Sequence, residues 1–207
     1  MTDLRTDYLG LALRSPIVAS AGPMTDEVGR IEALAAAGVG AVVLPARVAE
    51  QIEHETSELD RLFSVHQDSF GEATSYLPEL DHGGGTAERT LELIERAKAA
   101  VDIPVIASLN GTNVGGWLRY AELLVDAGAD ALELNIYSIA ADPMISGPSI
   151  EREHIELVAV LASEVAVPVA VKISPYYSSV AAFAMELQDA GAAGLVIFNR
   201  FYLPDLD

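Results

Sequence analysis

The chain has no cysteine among its 207 residues. That excludes a disulfide framework, thiolate catalysis and any Cys-ligated metal. It has few basic residues, 12 Lys plus Arg against 31 Asp plus Glu, for a formal net charge of −19. Nucleic acid and anionic membranes need a basic face, so neither is expected as a partner. The uncharged run Ala33 to Ala46 is too short to span a bilayer and is broken by Gly38 and Gly40. The N-terminus, MTDLRTDYLG, lacks a basic segment followed by an apolar one, so no signal peptide is expected and a cytoplasmic location is the default. What the chain does have is apolar side chains, 51% of the total, enough to bury a core and exclude global disorder.

A repeat organises these residues. Pro104-Val-Ile-Ala-Ser-Leu-Asn leads through a helical pattern to Asp126-Ala-Gly-Ala-Asp-Ala-Leu-Glu-Leu. Pro168-Val-Ala-Val-Lys-Ile-Ser leads in the same way to Asp189-Ala-Gly-Ala-Ala-Gly-Leu-Val-Ile. Ala37-Gly38 before Ala41-Val-Val-Leu44 is a third such join. A glycine after a helical stretch supplies the left-handed residue that ends it. A short, nearly continuous apolar run after it reads as a strand covered on both faces. Proline at a strand start is tolerated because the missing N–H falls before the ladder. Strand and helix alternating through short joins mean parallel βαβ units.

The pattern predicts an N-terminal hairpin over Asp7–Leu13 and strands over Ile17–Ala21, Ala41–Leu44, Val105–Leu109, Ala131–Asn135, Val169–Ser174 and Gly194–Phe198. Helices are predicted over Asp26–Ala37, Ala87–Ala100, Trp117–Ala127, Ile150–Val165 and Ser179–Ala190. The excursion from Pro45 to Gly85 reads as containing an acidic amphipathic helix near Val48 to Phe63. Six strands could complete a doubly wound sheet, but Ala19-Ser-Ala-Gly-Pro-Met after the first is not a GxGxxG fingerprint. A (β/α)8 barrel needs eight strands and about 250 residues. The fold class read here is therefore α/β: a (β/α)8-type barrel, incomplete, of about six parallel βα units in a single domain over residues 1–207.

In such folds the active face lies at the carboxyl ends of the strands. Asn stands there three times, at Asn110, Asn135 and Asn199. Each could be a turn residue, but three converging beside a lysine point to a polar ligand site. Lys172, one of only two lysines, interrupts an apolar strand. A buried lysine is costly unless paired or used. It could face an electron-rich cofactor edge, act as a Schiff-base amine, or reach a strand carboxylate such as Glu133. His54, His66, His82 and His154 are scattered, and Glu50 with His54 reads as solvated surface rather than a metal site. His82-Gly-Gly-Gly85 reads as a connector, since no Gly-x-Ser-x-Gly supports a hydrolase. Trp117, Tyr176 and Tyr177 read as packing, although the tyrosines follow Lys172 closely enough to line a pocket.

With these residues in place the chain resembles the dihydroorotate dehydrogenase family of flavin-containing barrels. The resemblance rests on Tyr8-Leu-Gly-Leu with Ser15-Pro-Ile-Val-Ala-Ser-Ala-Gly22, and on Ile106-Ala-Ser-Leu-Asn-Gly111. It continues through Ala129-Asp-Ala-Leu-Glu-Leu-Asn135, Val169-Ala-Val-Lys-Ile-Ser-Pro-Tyr176 and Gly194-Leu-Val-Ile-Phe-Asn-Arg200. It implies an FMN-dependent oxidoreductase acting on a CH–CH bond, as in the oxidation of dihydroorotate to orotate in pyrimidine biosynthesis. It also implies site roles. Ala19, Ser20 and Ala21 would pack their backbone on the flavin, with Asn110, Asn135 and Lys172 also on the cofactor. Asn135 and Asn199 would touch substrate, and Ser138 would stand where the family keeps its catalytic base. A cation at Lys172 would stabilise negative charge on a reduced flavin.

The sequence departs from the family in several places. Tyr-Ser-Ile-Ala replaces Ser-Cys-Pro-Asn around Ser138, and Leu44-Pro-Ala46 replaces the Thr-Lys-Ser after the second strand. Ser69-Phe-Gly-Glu-Ala-Thr-Ser75 occupies the place of the substrate-gripping loop, and Arg200 that of a small hydroxyl residue. The last two βα units and their phosphate grip are missing, so the chain reads as a C-terminally truncated barrel. Weak FMN binding, open sheet edges and edge-mediated association or a homo-oligomer are the expectations that follow. A Schiff-base lyase built on Lys172 and a non-catalytic binding or remnant domain are the alternative functions.

Overall fold

The computed structural model describes residues 2–48, 86–110, 117–137 and 140–199. The elements run β1 (Thr6–Tyr8), β2 (Leu11–Leu13), β3 (Val18–Ala19), α1 (Val28–Ala36), β4 (Ala41–Val43) and β5 (Arg47–Val48). They continue with α2 (Thr86–Ala100), β6 (Val105–Asn110), α3 (Trp117–Asp126), β7 (Ala131–Asn135), α4 (Gly147–Glu164), β8 (Val169–Ile173), α5 (Val180–Asp189) and β9 (Gly194–Ile197). A single 3₁₀ turn, Pro23–Thr25, joins β3 to α1.

Apart from the hairpin β1–β2, every strand pairs parallel, in the order β3-β4-β6-β7-β8-β9. With five helices among the described residues this is a curled half-barrel, as the alternation predicted. The predicted strands are found, with β3 cut to two residues. One element differs from expectation. Val48 begins no helix; Arg47–Val48 forms β5, which pairs with β6 at Leu109 and Asn110. It thus continues the line of β4 past a break at Leu44-Pro45-Ala46, where proline cannot donate to a ladder. The rest of the predicted acidic helix, and the His82-Gly-Gly-Gly85 connector, lie outside the described residues.

Alternation along the strands makes two cores. Val42, Val105, Ala107, Leu109, Leu132, Leu134, Val169, Val171 and Ile173 face the helices and meet Ile31, Ile94, Leu124, Leu157, Leu161 and Phe183. Ala41, Val43, Ile106, Ala131 and Ala170 face inward and are covered by Leu9 and Leu13 of the hairpin, with Tyr8, Leu11 and Val196 packed against them. The hairpin therefore lies across the concave floor at the amino ends of the strands. Gly38, Gly128 and Gly191 all have positive φ and end α1, α3 and α5 as the repeat required. Ile17, just before β3, and Ile197 of β9 are 64% exposed at the two edges of the sheet.

The tightest backbone approach is at Gly40. Its amide donates to Ile17 at 2.7 Å. A Cβ there would lie 2.0 Å from the Ser15 carbonyl oxygen and 3.2 Å from Leu13 Cβ. Gly40→Ala forces the hairpin exit away from β4. It is expected to cost about 1–3 kcal/mol, the usual range for overpacking, read as a lower urea midpoint; an unchanged midpoint would contradict this packing.

Candidate functional site

The inward face turns polar toward the carboxyl ends of the strands. Register sets Ser108 opposite Glu133, and Asn110 opposite Asn135, across β6 and β7. Asn135 is in turn opposite Lys172 on β8, and Lys172 is opposite Val196 on β9. Asn110, Asn135 and Lys172 therefore form one row across three strands, with Ser108 and Glu133 one row deeper. The sequence produces this by strict alternation: in Ala-Leu-Glu-Leu-Asn, the leucines go to the helices, and Ala131, Glu133 and Asn135 turn inward.

Within the row Asn135 Nδ2 donates to Asn110 Oδ1 at 2.6 Å. Asn135 Oδ1 is buried and has no hydrogen-bond partner among the described residues. A buried acceptor left without a donor costs its full desolvation, so it marks a place where a ligand N–H is wanted. Lys172 Nζ lies 3.7 Å from Glu133 Oε1, and Ser108 Oγ donates to the same oxygen at 3.3 Å. The lysine thus does reach the strand carboxylate anticipated from sequence, and it does so while remaining in the amide row. Burial pushes the Glu133 carboxyl above the usual range, against the pull of Lys172 and Ser108. Tyr8, under the hairpin tip, is also pushed up by burial and by the Glu133 charge.

Asn199 is buried, and its Nδ2 donates to the Ile136 carbonyl at 2.8 Å. Its own amide donates to Ile173 O at 2.9 Å, so the residue ties the end of β9 to β7 across β8. Ala19 and Ala21 stand at the end of the edge strand β3, packed against the helix-side and inward cores respectively, and Ser20 between them is exposed. Ser138 lies outside the described residues, as do Arg200 and Ser69 to Ser75.

The loop after Lys172 is pinned from outside. Tyr177 stacks on Phe183, ring centroids 4.0 Å apart, and its hydroxyl is hydrogen-bonded to His154 Nδ1 at 3.1 Å. Glu151 Oε1 accepts from Ser178 N at 2.9 Å and Ser178 Oγ at 2.7 Å. Tyr177 packs as expected, whereas Tyr176 is exposed. This anchor between α4 and the β8–α5 loop was not anticipated; the only sequence signal for it was a lone histidine on the apolar side of a helix. Among the described residues no group of three His, Asp or Glu could hold a metal, and no helix is long and apolar enough to cross a membrane.

The class of protein is thus set by an inward row of amides and one ammonium at the carboxyl rim of a (β/α)8-type half-barrel. Solved barrels superpose on it. Phosphoenolpyruvate phosphomutase from Streptomyces platensis subsp. rosaceus matches with a TM-score of 0.54 and 24% identity, over 89% of this chain and 55% of that one. An IMP dehydrogenase/GMP reductase-like protein from Corynebacterium glutamicum matches with a TM-score of 0.53 and 17% identity, over 93% of this chain and 47% of that one. At these identities they show the fold alone.

The sequence pattern of dihydroorotate dehydrogenase matches residues 3–201, and the chain belongs to that family. The catalytic subunit of dihydroorotate dehydrogenase B (NAD(+)) from Geobacillus kaustophilus is 33% identical over 109 residues, 47% of this chain and 32% of that protein. The subunit of the same name from Fusobacterium nucleatum is 25% identical over 202 residues, 95% of this chain and 62% of that protein. The chain therefore spans less than two thirds of the relatives it matches.

Burial also lowers the His154 pKa from 6.5, against the opposing charges of Glu153 and Glu151. The folded chain then binds its proton later than the unfolded chain, so stability is lost as pH falls from about 6.5 toward the folded value. The unfolding free energy should decline across that window in the wild type. His154→Gln should flatten this decline; parallel profiles would show that the imidazole is not held neutral.

Proposed function

We propose that this chain is the flavin-carrying portion of a dihydroorotate dehydrogenase-type oxidoreductase that binds FMN at the amide–lysine row. The observation that carries the reading is the buried, partnerless Asn135 Oδ1 in register with Lys172. The pyrimidine edge of an isoalloxazine offers both an N–H donor and carbonyl acceptors. Asn135 Oδ1 can accept from the first and Lys172 Nζ can donate to the second. The residues present thus fit the ring end of the cofactor. FMN, when bound, supplies the two-electron acceptor for oxidation of a CH–CH bond.

The chain's own groups have separate tasks. Lys172 presents positive charge where electron density accumulates, in a site with a low local dielectric. Asn110 fixes the orientation of the Asn135 amide through their mutual hydrogen bond. The hairpin side chains Leu9 and Leu13 close the floor and keep water from the underside of the row. Ala19, Ser20 and Ala21 offer small side chains beside the rim, where backbone can approach a flat ring. Ser138 is the proposed proton acceptor from substrate, which is proposed to be dihydroorotate or a close carbonyl-bearing analogue. A serine needs desolvation or a relaying water for that task.

Lys172 as a Schiff-base amine is disfavoured by its surroundings. Its nitrogen is beside a carboxylate rather than in the apolar pocket that frees an amine for such chemistry. The test is quenching of FMN fluorescence. Saturable quenching is expected with the wild-type chain, weakened about tenfold or more by Lys172→Met or Asn135→Leu, a loss of about 1.4 kcal/mol or more in binding. Absence of quenching at millimolar FMN, or quenching indifferent to both substitutions, would overturn the assignment.

A further inference from the structure

Glu133 is used by none of the tasks above, yet among the described residues it is the most deeply placed charge of the inward face. Its side chain is 7% exposed, that of Lys172 22%. Both of its contacts are long: 3.7 Å to Lys172 Nζ and 3.3 Å to Ser108 Oγ. Neither is a short charge-assisted bond, so the carboxylate is removed from water without being fully repaid. The ammonium it holds is reachable from the rim, because Lys172 belongs to the outer row with Asn135 while its nitrogen leans back toward the deeper one.

We propose that Glu133 is the positioning residue of this site: it holds the Lys172 ammonium and releases it to an anionic or electron-rich group seated against Asn135, taking up a proton from bulk water in exchange. The balance is simple. One ligand–ammonium contact forms, one carboxylate–ammonium contact is given up, and one proton moves from solvent to a Glu133 oxygen. The charged or titratable groups facing Glu133 among the described residues are Lys172 on β8 and Tyr8 on β1, with the Ser108 hydroxyl on β6. Tyr8 offers no compensating positive charge. Once Lys172 turns away, protonation is what relieves the buried carboxylate. Burial already raises the proton affinity of this carboxyl, in the direction the exchange needs. In its ligand half the inference rests on the flavin reading; the pairing of Glu133 with Lys172 does not.

The composition makes the test direct. The chain has two lysines, Lys98 and Lys172, so lysine labelled with ¹³C at Cε gives two signals. Lys98 is an internal control, since its Nζ is 2.7 Å from both oxygens of Asp130. In the wild type without added ligand, the Lys172 signal is expected to step at the ionisation of Glu133, at a pH above the ordinary glutamate range, with no matching step at Lys98. Glu133→Gln should abolish the step. Should that variant not fold, Ser108→Ala keeps the carboxylate but removes a donor, and should move the step to higher pH. Saturation with FMN, and separately with dihydroorotate, should then raise the step by about one pH unit, a tenfold gain in proton affinity.

Absence of any step in the wild type overturns the proposal, whatever FMN does. A step that neither probe moves overturns the exchange, even if FMN shifts the Lys172 signal and so supports the flavin reading. A step raised by dihydroorotate but untouched by FMN upholds the exchange and removes the flavin from it.

Discussion

Everything in this molecule depends on parallel strands that bury both faces but bury them differently. On one side each strand gives Val, Leu and Ile to the helices; on the other it gives small residues to the hairpin and then polar ones to the rim. Because side chains alternate with a period of two, a slip of one residue would drive Asn135 and Glu133 into the helix core and expose Leu134. Register is therefore the quantity the site rests on. Asp130 helps to hold it, accepting from Val105 N at 2.7 Å and from Lys98 Nζ at 2.7 Å, just where β6 and β7 begin. An acid at the foot of one strand thereby fixes which residues of its neighbour meet at the top.

Much of this was legible in the sequence because it is local. The strand–helix repeat, the glycine joins and the place of Asn110, Asn135 and Lys172 toward the carboxyl ends of their strands follow from spacing alone. What was not legible depends on partners distant in the chain. β5 is two residues long, Arg47–Val48, and exists only because β6 lies alongside it to pair with. Asn199 looked like a third member of the amide row. Its Nδ2 also satisfies the Ile136 carbonyl, a need that appears only when the ends of β7 and β9 are brought close. His154 showed in the sequence only as a lone histidine on the apolar side of a helix; its bond to Tyr177 forms because that helix meets a loop 23 residues on.

Family membership and the site point the same way without being the same argument. The family pattern runs through residues 3–201 and fixes the ancestry of the chain. The chemistry comes from the row itself: an orphan acceptor, an amide held by its neighbour, and an ammonium with a buried counter-charge. Two local features border this row. Leu44-Pro45-Ala46 breaks the line of β4, and Lys172 is the lysine of the inward face among the described residues. The loop beyond β8 is held by the Tyr177–Phe183 stack, so the strand that carries the cation is fixed at its carboxyl end.

The hairpin carries a further consequence. Its tip residue Leu9 lies so close to Gly194 that a Cβ on that glycine would sit 2.6 Å from Leu9 Cδ2. The first strands to be synthesised thus find their seat against the last strand described, nearly a full chain length later. Contacts of such separation slow folding, because the loop between must be closed before any of them is repaid. During synthesis the leucines of the hairpin meet Ala41 and Val43 first and gain the Gly194 end of their seat only when β9 emerges. The floor of the concave side is therefore assembled strand by strand and closed by the last strand described.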